Sequence, residues 1–287
     1  MVYLDIGAIR EIALSPDGEH LAAASDTGVY VYRFDSFEEE WYDIDDMPQR
    51  SLTWSADSTR LAAGSEDGMV TIWNVDSGEE LLAFEISADA IRYIEWAPTW
   101  DGLTGDTRSG EVMLWDTTTG EAIYSLDTLP DVITCVDWGR WGGYLAGGAE
   151  DSTAATWDVE TGQLLYTFRG HTAPVWSVKW SPDSEYIATG SEDMTVRIWD
   201  RGSSALLMTL AGHIGGVNSV DWSPDGTRLA SGSDDLTVIV WDPVVGDLLQ
   251  VLIGHTDAVT SVIWAPDGAR LISASLDGTV IVWDVSE

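Results

Sequence analysis

The sequence predicts an all-β fold, with seven repeated four-stranded antiparallel sheets set around a common axis. Three observations predict it: a fixed tryptophan interval, apolar–polar alternation inside each interval, and turn chemistry between the alternating runs. At 287 residues the chain is longer than one conventional core usually grows, so two domains or a repeat architecture is expected.

The interval comes first. Trp54, Trp96, Trp138, Trp180, Trp222 and Trp264 recur every 42 residues, and so do Trp73, Trp115, Trp157, Trp199, Trp241 and Trp283. Twelve of the sixteen tryptophans thus lie on two registers of one period. Leu14 and Tyr32 take the same two positions in an earlier, slightly shorter unit. Seven units account for nearly the whole chain, which is read as one domain over 1–287.

The fifth unit shows the alternation. Val175–Trp180 alternates apolar and polar residues, and Ser181-Pro182-Asp183-Ser184 is turn chemistry. Tyr186–Thr189 is a second strand, stopped at Gly190-Ser191-Glu192-Asp193. Thr195–Trp199 is a third, Asp200–Ser203 a turn, and Leu206–Leu210 a fourth. Four short strands cannot bury a core alone, whereas sheets stacked face to face around an axis can.

Trp-Asp pairs close five units, at Trp115-Asp116, Trp157-Asp158, Trp199-Asp200, Trp241-Asp242 and Trp283-Asp284. Gly-His pairs recur at Gly170-His171, Gly212-His213 and Gly254-His255. On these residues the whole chain resembles the WD40-repeat family, which implies a seven-bladed β-propeller. The seventh unit ends after its third strand. The resemblance implies that Met1–Leu4 supplies the fourth, pairing with Val280–Trp283 and covering an open sheet edge.

Composition narrows the function. Forty-nine acidic residues face thirteen basic ones, of which Lys179 is the one lysine, for a net charge of −36. Phosphates are repelled by such a surface, so nucleic acid is not an expected partner. The charge also opposes self-association, so a monomer is expected, either adapted to a salt-rich cytoplasm or simply solubilised. No apolar run is long enough to cross a bilayer as a helix, and Met1–Arg10 lacks the pattern of a signal peptide. Membrane association is not expected, and the single cysteine, Cys135, suits a reducing cytoplasm.

Candidate sites follow. The spacing of His171, Thr189, Asp193 and Trp199 is similar to the structural hydrogen-bond tetrad of the family. His213, Ser231, Asp235, Trp241 and His255, Ser273, Asp277, Trp283 repeat it. A His–Ser–Asp set invites a catalytic-triad reading. A nucleophile site occurs once, however, whereas this set occurs three times in register with a tryptophan. The tetrad histidine position holds Asp45, Ser87 and Leu129 in units two to four, and Ser109 replaces the turn aspartate of unit three. Units one to four are therefore expected to be held mainly by packing. His20 falls in an expected surface turn. Glu38–Glu40 and Asp45-Asp46 are read as a solvated connection. No metal spacing, phosphate loop or dinucleotide fingerprint is visible, so neither an enzyme nor a cofactor is expected.

In the family, the narrow channel rim is the usual partner-binding face. The resemblance places Arg10, Arg50, Arg92, Thr134, Trp176, Asn218 and Thr260 there. Ser25, Glu66, Arg108, Glu150, Glu192, Asp234 and Leu276 occupy a second rim position. Four of the twelve arginines, Arg10, Arg50, Arg92 and Arg108, thus share one sector. Arginine forks suit carboxylates and phosphates, so an acidic or phosphorylated peptide is expected there, with Trp176 as an aromatic anchor and Asn218 beside it. The competing expectation is that Glu66 and its neighbours neutralise these arginines. Trp100 and Trp141, in turns of the opposite face, form either a sticky patch or caps on their own blades.

The leading reading is a non-catalytic protein- or peptide-binding scaffold. The alternatives are the sensor region of a larger bacterial kinase or ATPase, a hydrolase with a channel metal, and an engineered chain. Against the hydrolase, arginines rather than acidic or histidine ligands are expected at the channel.

Overall fold

The computed structural model describes residues 2–4, 6–44, 47–87, 90–106, 112–126 and 131–286. Among them the structure is all-β, with seven four-stranded antiparallel sheets as the blades of a propeller. In blade five the strands are Val175–Trp180, Tyr186–Ser191, Thr195–Asp200 and Leu206–Ala211, in that spatial order from channel to periphery. The inner three strands bury residues on both faces, because each sheet is covered by a neighbour on either side. The fourth strand is mostly exposed, with Met208 half-buried and Leu210 buried.

The core is therefore a set of interblade layers. One layer joins Ala188, Val196, Ile198 and Leu210 of blade five to Val217, Val220, Trp222, Leu229 and Trp241 of blade six. First-register tryptophans also stitch blades through their indole N–H. Trp180 donates to the Asp137 carbonyl at 3.0 Å, Trp222 to that of Lys179 at 3.3 Å, and Trp54 to that of Ala13 at 3.0 Å.

The ring closes through its ends. Blade seven consists of Val259–Trp264, Arg270–Ser275 and Thr279–Asp284, completed by the strand Val2–Tyr3. Val2 pairs with Val280 and Tyr3 with Thr279. Ile6, Ile9 and Ile12 then pack with Ala265, Ile272 and Val280 in one layer.

Two local expectations are corrected. His20 begins the second strand of blade one rather than lying in a turn; its Nδ1 is 2.6 Å from Glu40 and its ring stacks on Trp54. Glu38–Glu40 is not a connection but the start of that blade's fourth strand, Glu38–Ile44, where Glu40 also pairs with Arg33. Alternation failed to mark that strand because three consecutive acids mask it. Asp45 and Asp46 lie outside the described residues.

Candidate functional site

The channel is lined by a backbone irregularity repeated around the ring. In six blades the register of the first strand shifts by one residue, between Ile9 and Glu11, Gln49 and Ser51, Ile133 and Cys135, Val175 and Ser177, Val217 and Ser219, and Val259 and Ser261. The residues inside these bulges are Arg10, Arg50, Thr134, Trp176, Asn218 and Thr260. A bulge removes a residue from the ladder and re-aims its side chain. These six and Arg92, which precedes its own strand at Ile94, line one cavity of about 430 Å³.

The second rim set mostly answers the first across 16 residues. Arg50 pairs with Glu66, Trp176 Nε1 donates to Glu192 Oε2 at 2.8 Å, and Asn218 Nδ2 donates to Asp234 Oδ1 at 2.7 Å. In blade one the acid is Asp26, 2.8 Å from Arg10 and 16 residues after it, one residue beyond the expected Ser25. Arg92 reaches Glu150 of the next blade at 3.9 Å. Arg108 lies outside the described residues. Asp26, Glu66 and Glu150 therefore compensate three of the four arginines, as the competing expectation had it.

Below the rim the channel wall differs from the expectation. Glu11, Glu95 and Lys179 line it, and Asp137 and Asp221 lie beside Lys179, so carboxylates do face the channel. Four of these residues immediately precede a first-register tryptophan, at Glu95, Asp137, Lys179 and Asp221, a signal the sequence reading passed over. Lys179 Nζ donates to Asp137 Oδ1 at 2.7 Å. The nearby carboxylates push the Lys179 ammonium further up, against its burial. Burial pushes the Glu11 carboxyl up to about 7 and Asp221 up to about 6, and raises Glu95 well above the usual carboxylate range.

Three of these acids have a structural task. Glu11 accepts the Leu52 N–H at 2.7 Å, Asp137 that of Trp180 at 2.8 Å, and Asp221 that of Trp264 at 2.7 Å, each reaching into the following blade. Among the described residues no three His, Cys, Asp or Glu side chains converge in a metal-binding cluster. Cys135 lies in the same wall, its thiol pushed up to about 11 by burial, so it is a poor nucleophile at neutral pH.

The three histidine sets lie inside blades five to seven, away from the opening. Thr189 Oγ1 is 2.7 Å from His171 Nε2 and accepts the Trp199 indole N–H at 2.9 Å, while His171 Nδ1 lies 2.8 Å from Asp193. His213, Ser231, Asp235 and Trp241 repeat this at 2.7, 2.8 and 2.8 Å. In the third set His255 Nε2 is 2.7 Å from Ser273, which accepts the Trp283 N–H at 2.8 Å. There Nδ1 is 2.9 Å from Thr279 and 3.4 Å from Asp277. Burial lowers all three histidine pKa values, so the rings are neutral. Nε2 then accepts from the hydroxyl, while Nδ1–H donates to the carboxylate in the first two sets and to the nearer Thr279 Oγ1 in the third. The hydroxyls are fully buried, out of reach of any substrate.

In blade two Trp73 donates instead to Asp43 Oδ2 at 3.1 Å. Ser87 is buried; Leu129 and Ser109 lie outside the described residues. On the opposite face Trp100 packs edge-on against Trp138 of the following blade, 6.3 Å between ring centroids. Trp141 is 74% exposed under the Arg140 guanidinium. The two indoles therefore do different things. Among the described residues no helix is long and apolar enough to cross a membrane.

Comparison with known proteins agrees with this geometry. Residues 162–200, 204–242 and 246–284 match the family described as WD domain, G-beta repeat, and residues 12–99 match the Anaphase-promoting complex subunit 4 WD40 domain. Each of the three repeat matches begins beside the outer strand of one blade and ends at the third strand of the next. A curated relative, the Poly(A)+ RNA export protein of Schizosaccharomyces pombe, is 34% identical over 95 residues, 31% of this chain and 27% of that protein. The chain thus matches about a quarter of that relative's length. With the matched segments covering more than half of the sequence and seven blades closed into a ring, this chain belongs to the WD40-repeat β-propeller family.

Proposed function

We propose that this chain is a non-catalytic platform that docks a protein or peptide across the narrow end of its channel. The observation that carries the reading is the repeated bulge. It takes Arg10, Arg50, Trp176 and Asn218 out of the hydrogen-bond ladder and gathers them at one opening. A rigid scaffold presenting an aromatic residue among hydrogen-bonding side chains suits peptide recognition.

Asp26, Glu66 and Glu150 restrain the choice of ligand. An acidic or phosphorylated segment would have to exchange with carboxylates already seated on Arg10, Arg50 and Arg92. We therefore favour a partner that also uses Trp176 and Asn218. The RNA named for the fission-yeast relative is not carried over, because a net charge of −36 opposes binding to phosphates.

Selection of ligands from a displayed peptide library, followed by titration, tests the proposal. Selected peptides should lose about tenfold or more in affinity with Trp176→Ala or with Arg50→Ala combined with Arg92→Ala, a loss of about 1.4 kcal/mol, while the melting temperature changes little. Peptides that bind all rim variants as they bind the wild type would refute the reading.

A further inference from the structure

The repeat supplies its own controls, because the same turn is built several times with different side chains. In the turn between the second and third strands, the residue five before the third-strand tryptophan has a left-handed backbone. Blades two and seven use Gly68 (φ 87°) and Gly278 (φ 76°) there, and blade four uses Ser152 (φ 70°). Blades five and six place Met194 (φ 67°) and Leu236 (φ 72°) at this position. A Cβ is strained in this conformation and glycine is not, so two large apolar residues are there despite the backbone. Nor do they serve the core: Met194 is 47% and Leu236 38% exposed.

Ile214 repeats the lesson. Its backbone N–H donates to Asp235 Oδ2 at 2.9 Å, the bond that Thr172 makes to Asp193 and Thr256 makes to Asp277 in the adjacent blades. Threonine performs that backbone task, yet blade six carries isoleucine, 85% exposed. Ile214 and Leu236 both adjoin Asp235, so the two side chains belong to one edge of the rim.

Two carboxylates border this edge. A Cβ on Gly216 would lie 2.8 Å from Glu192 Oε2 and 3.3 Å from Asp234 Oδ2, so the two acids flank a gap that only glycine leaves open. Their partners, Trp176 and Asn218, are neutral donors. Among the described residues neither acid has a cation within ion-pair distance, unlike Asp26 and Glu66.

We propose that Met194, Ile214 and Leu236, with Glu192 and Asp234, form a docking sector for a basic, apolar segment of a partner protein. An ammonium or guanidinium group sits between the two carboxylates, and aliphatic side chains of the segment cover the three apolar residues. A second copy of this chain is a poor occupant because each copy carries a net charge of −36. The proposal rests on the narrow end being the docking face and names a sector of it and the chemistry of the partner.

The test uses synthetic peptides of equal length in which lysine alternates with leucine, lysine with serine, or glutamate with leucine, titrated at physiological salt. The wild type should prefer lysine–leucine to lysine–serine by about tenfold or more and should not bind glutamate–leucine. The swap M194G/I214T/L236G installs residues that sister blades already use. It should erase that preference while keeping the melting temperature or raising it. The E192Q/D234N variant should weaken both lysine peptides and flatten the salt dependence of binding. Equal affinity for the two lysine peptides would overturn the sector, since it would reveal only the attraction of an acidic protein for cations. So would a swap variant that binds like the wild type, or wild-type self-association abolished by the swap. If the rim variants at Arg50, Arg92 and Trp176 lose their selected ligands while the swap changes nothing, the sector alone falls. If neither group of variants matters, the docking face falls with it.

Discussion

Thr189 shows how much a single hydroxyl carries. It accepts from Trp199 and engages His171, whose far nitrogen is held by Asp193, all in a place where water cannot substitute. Thr189→Val keeps the shape and orphans the indole N–H and the imidazole, so urea unfolding should show a loss of about 1–3 kcal/mol. Trp199→Ala should cost more, about 3–5 kcal/mol, because it leaves a cavity between blades. In the channel the signs run the other way. Burial raises the Glu11 carboxyl to about 7, so the folded chain holds that proton more tightly than the unfolded chain does. Its contribution to stability is full below the ordinary carboxylate range and is lost as pH rises through about 7. The buried histidines act oppositely, costing stability as pH falls below about 6.5, since the folded state resists their protonation. Glu11→Gln retains an acceptor for Leu52 while removing the charge. Its melting temperature should match the wild type at acid pH and exceed it at alkaline pH; an equal loss at every pH would contradict this account. The histidine sets were legible because three copies share one spacing. Three of the channel acids, Glu95, Asp137 and Asp221, were also written in the sequence, one residue before a first-register tryptophan, but their burial depends on the ring and cannot be read from a strand alone.

At the scale of the strand, the bulge is what sequence reading could not supply. Alternation predicts a regular ladder, and nothing in Val175-Trp176-Ser177 announces that Trp176 leaves it. The rim positions were reached by resemblance, and the structure gives their physical cause. The 16-residue answer between rim positions was half legible. It holds for Arg10, Arg50, Trp176 and Asn218, with the blade-one acid at Asp26 rather than the expected Ser25, and is redirected in blade three where Arg92 meets Glu150. Blades also differ in their internal bonding. Blades five to seven contain His–hydroxyl–Trp chains, whereas blade two ties its tryptophan to Asp43. Native-state hydrogen exchange should therefore find greater protection in the strands Tyr186–Ser191 and Leu229–Ser233 than in Arg60–Ser65. Equal protection would show that packing alone sets local stability.

The whole molecule is governed by its charge. With 49 acids against 13 bases, the compact state concentrates repulsion that the unfolded chain dilutes. Added salt shortens the reach of that repulsion from about 10 Å at 0.1 M to about 3 Å at 1 M. The melting temperature should rise clearly across that range, and a flat response would exclude adaptation to a salt-rich interior. The closing strand has a consequence of a different kind. Val2–Tyr3 is made before every other strand of the ring, yet its place beside Thr279–Asp284 exists only once the last of those strands has been made. Bringing such distant segments together is slow, because the entropy of closing the loop is spent before the contact returns anything. During synthesis six blades can assemble in succession while Val2–Tyr3 waits, and the final seam joins the two strands of the ring most distant in sequence rather than zipping neighbours together.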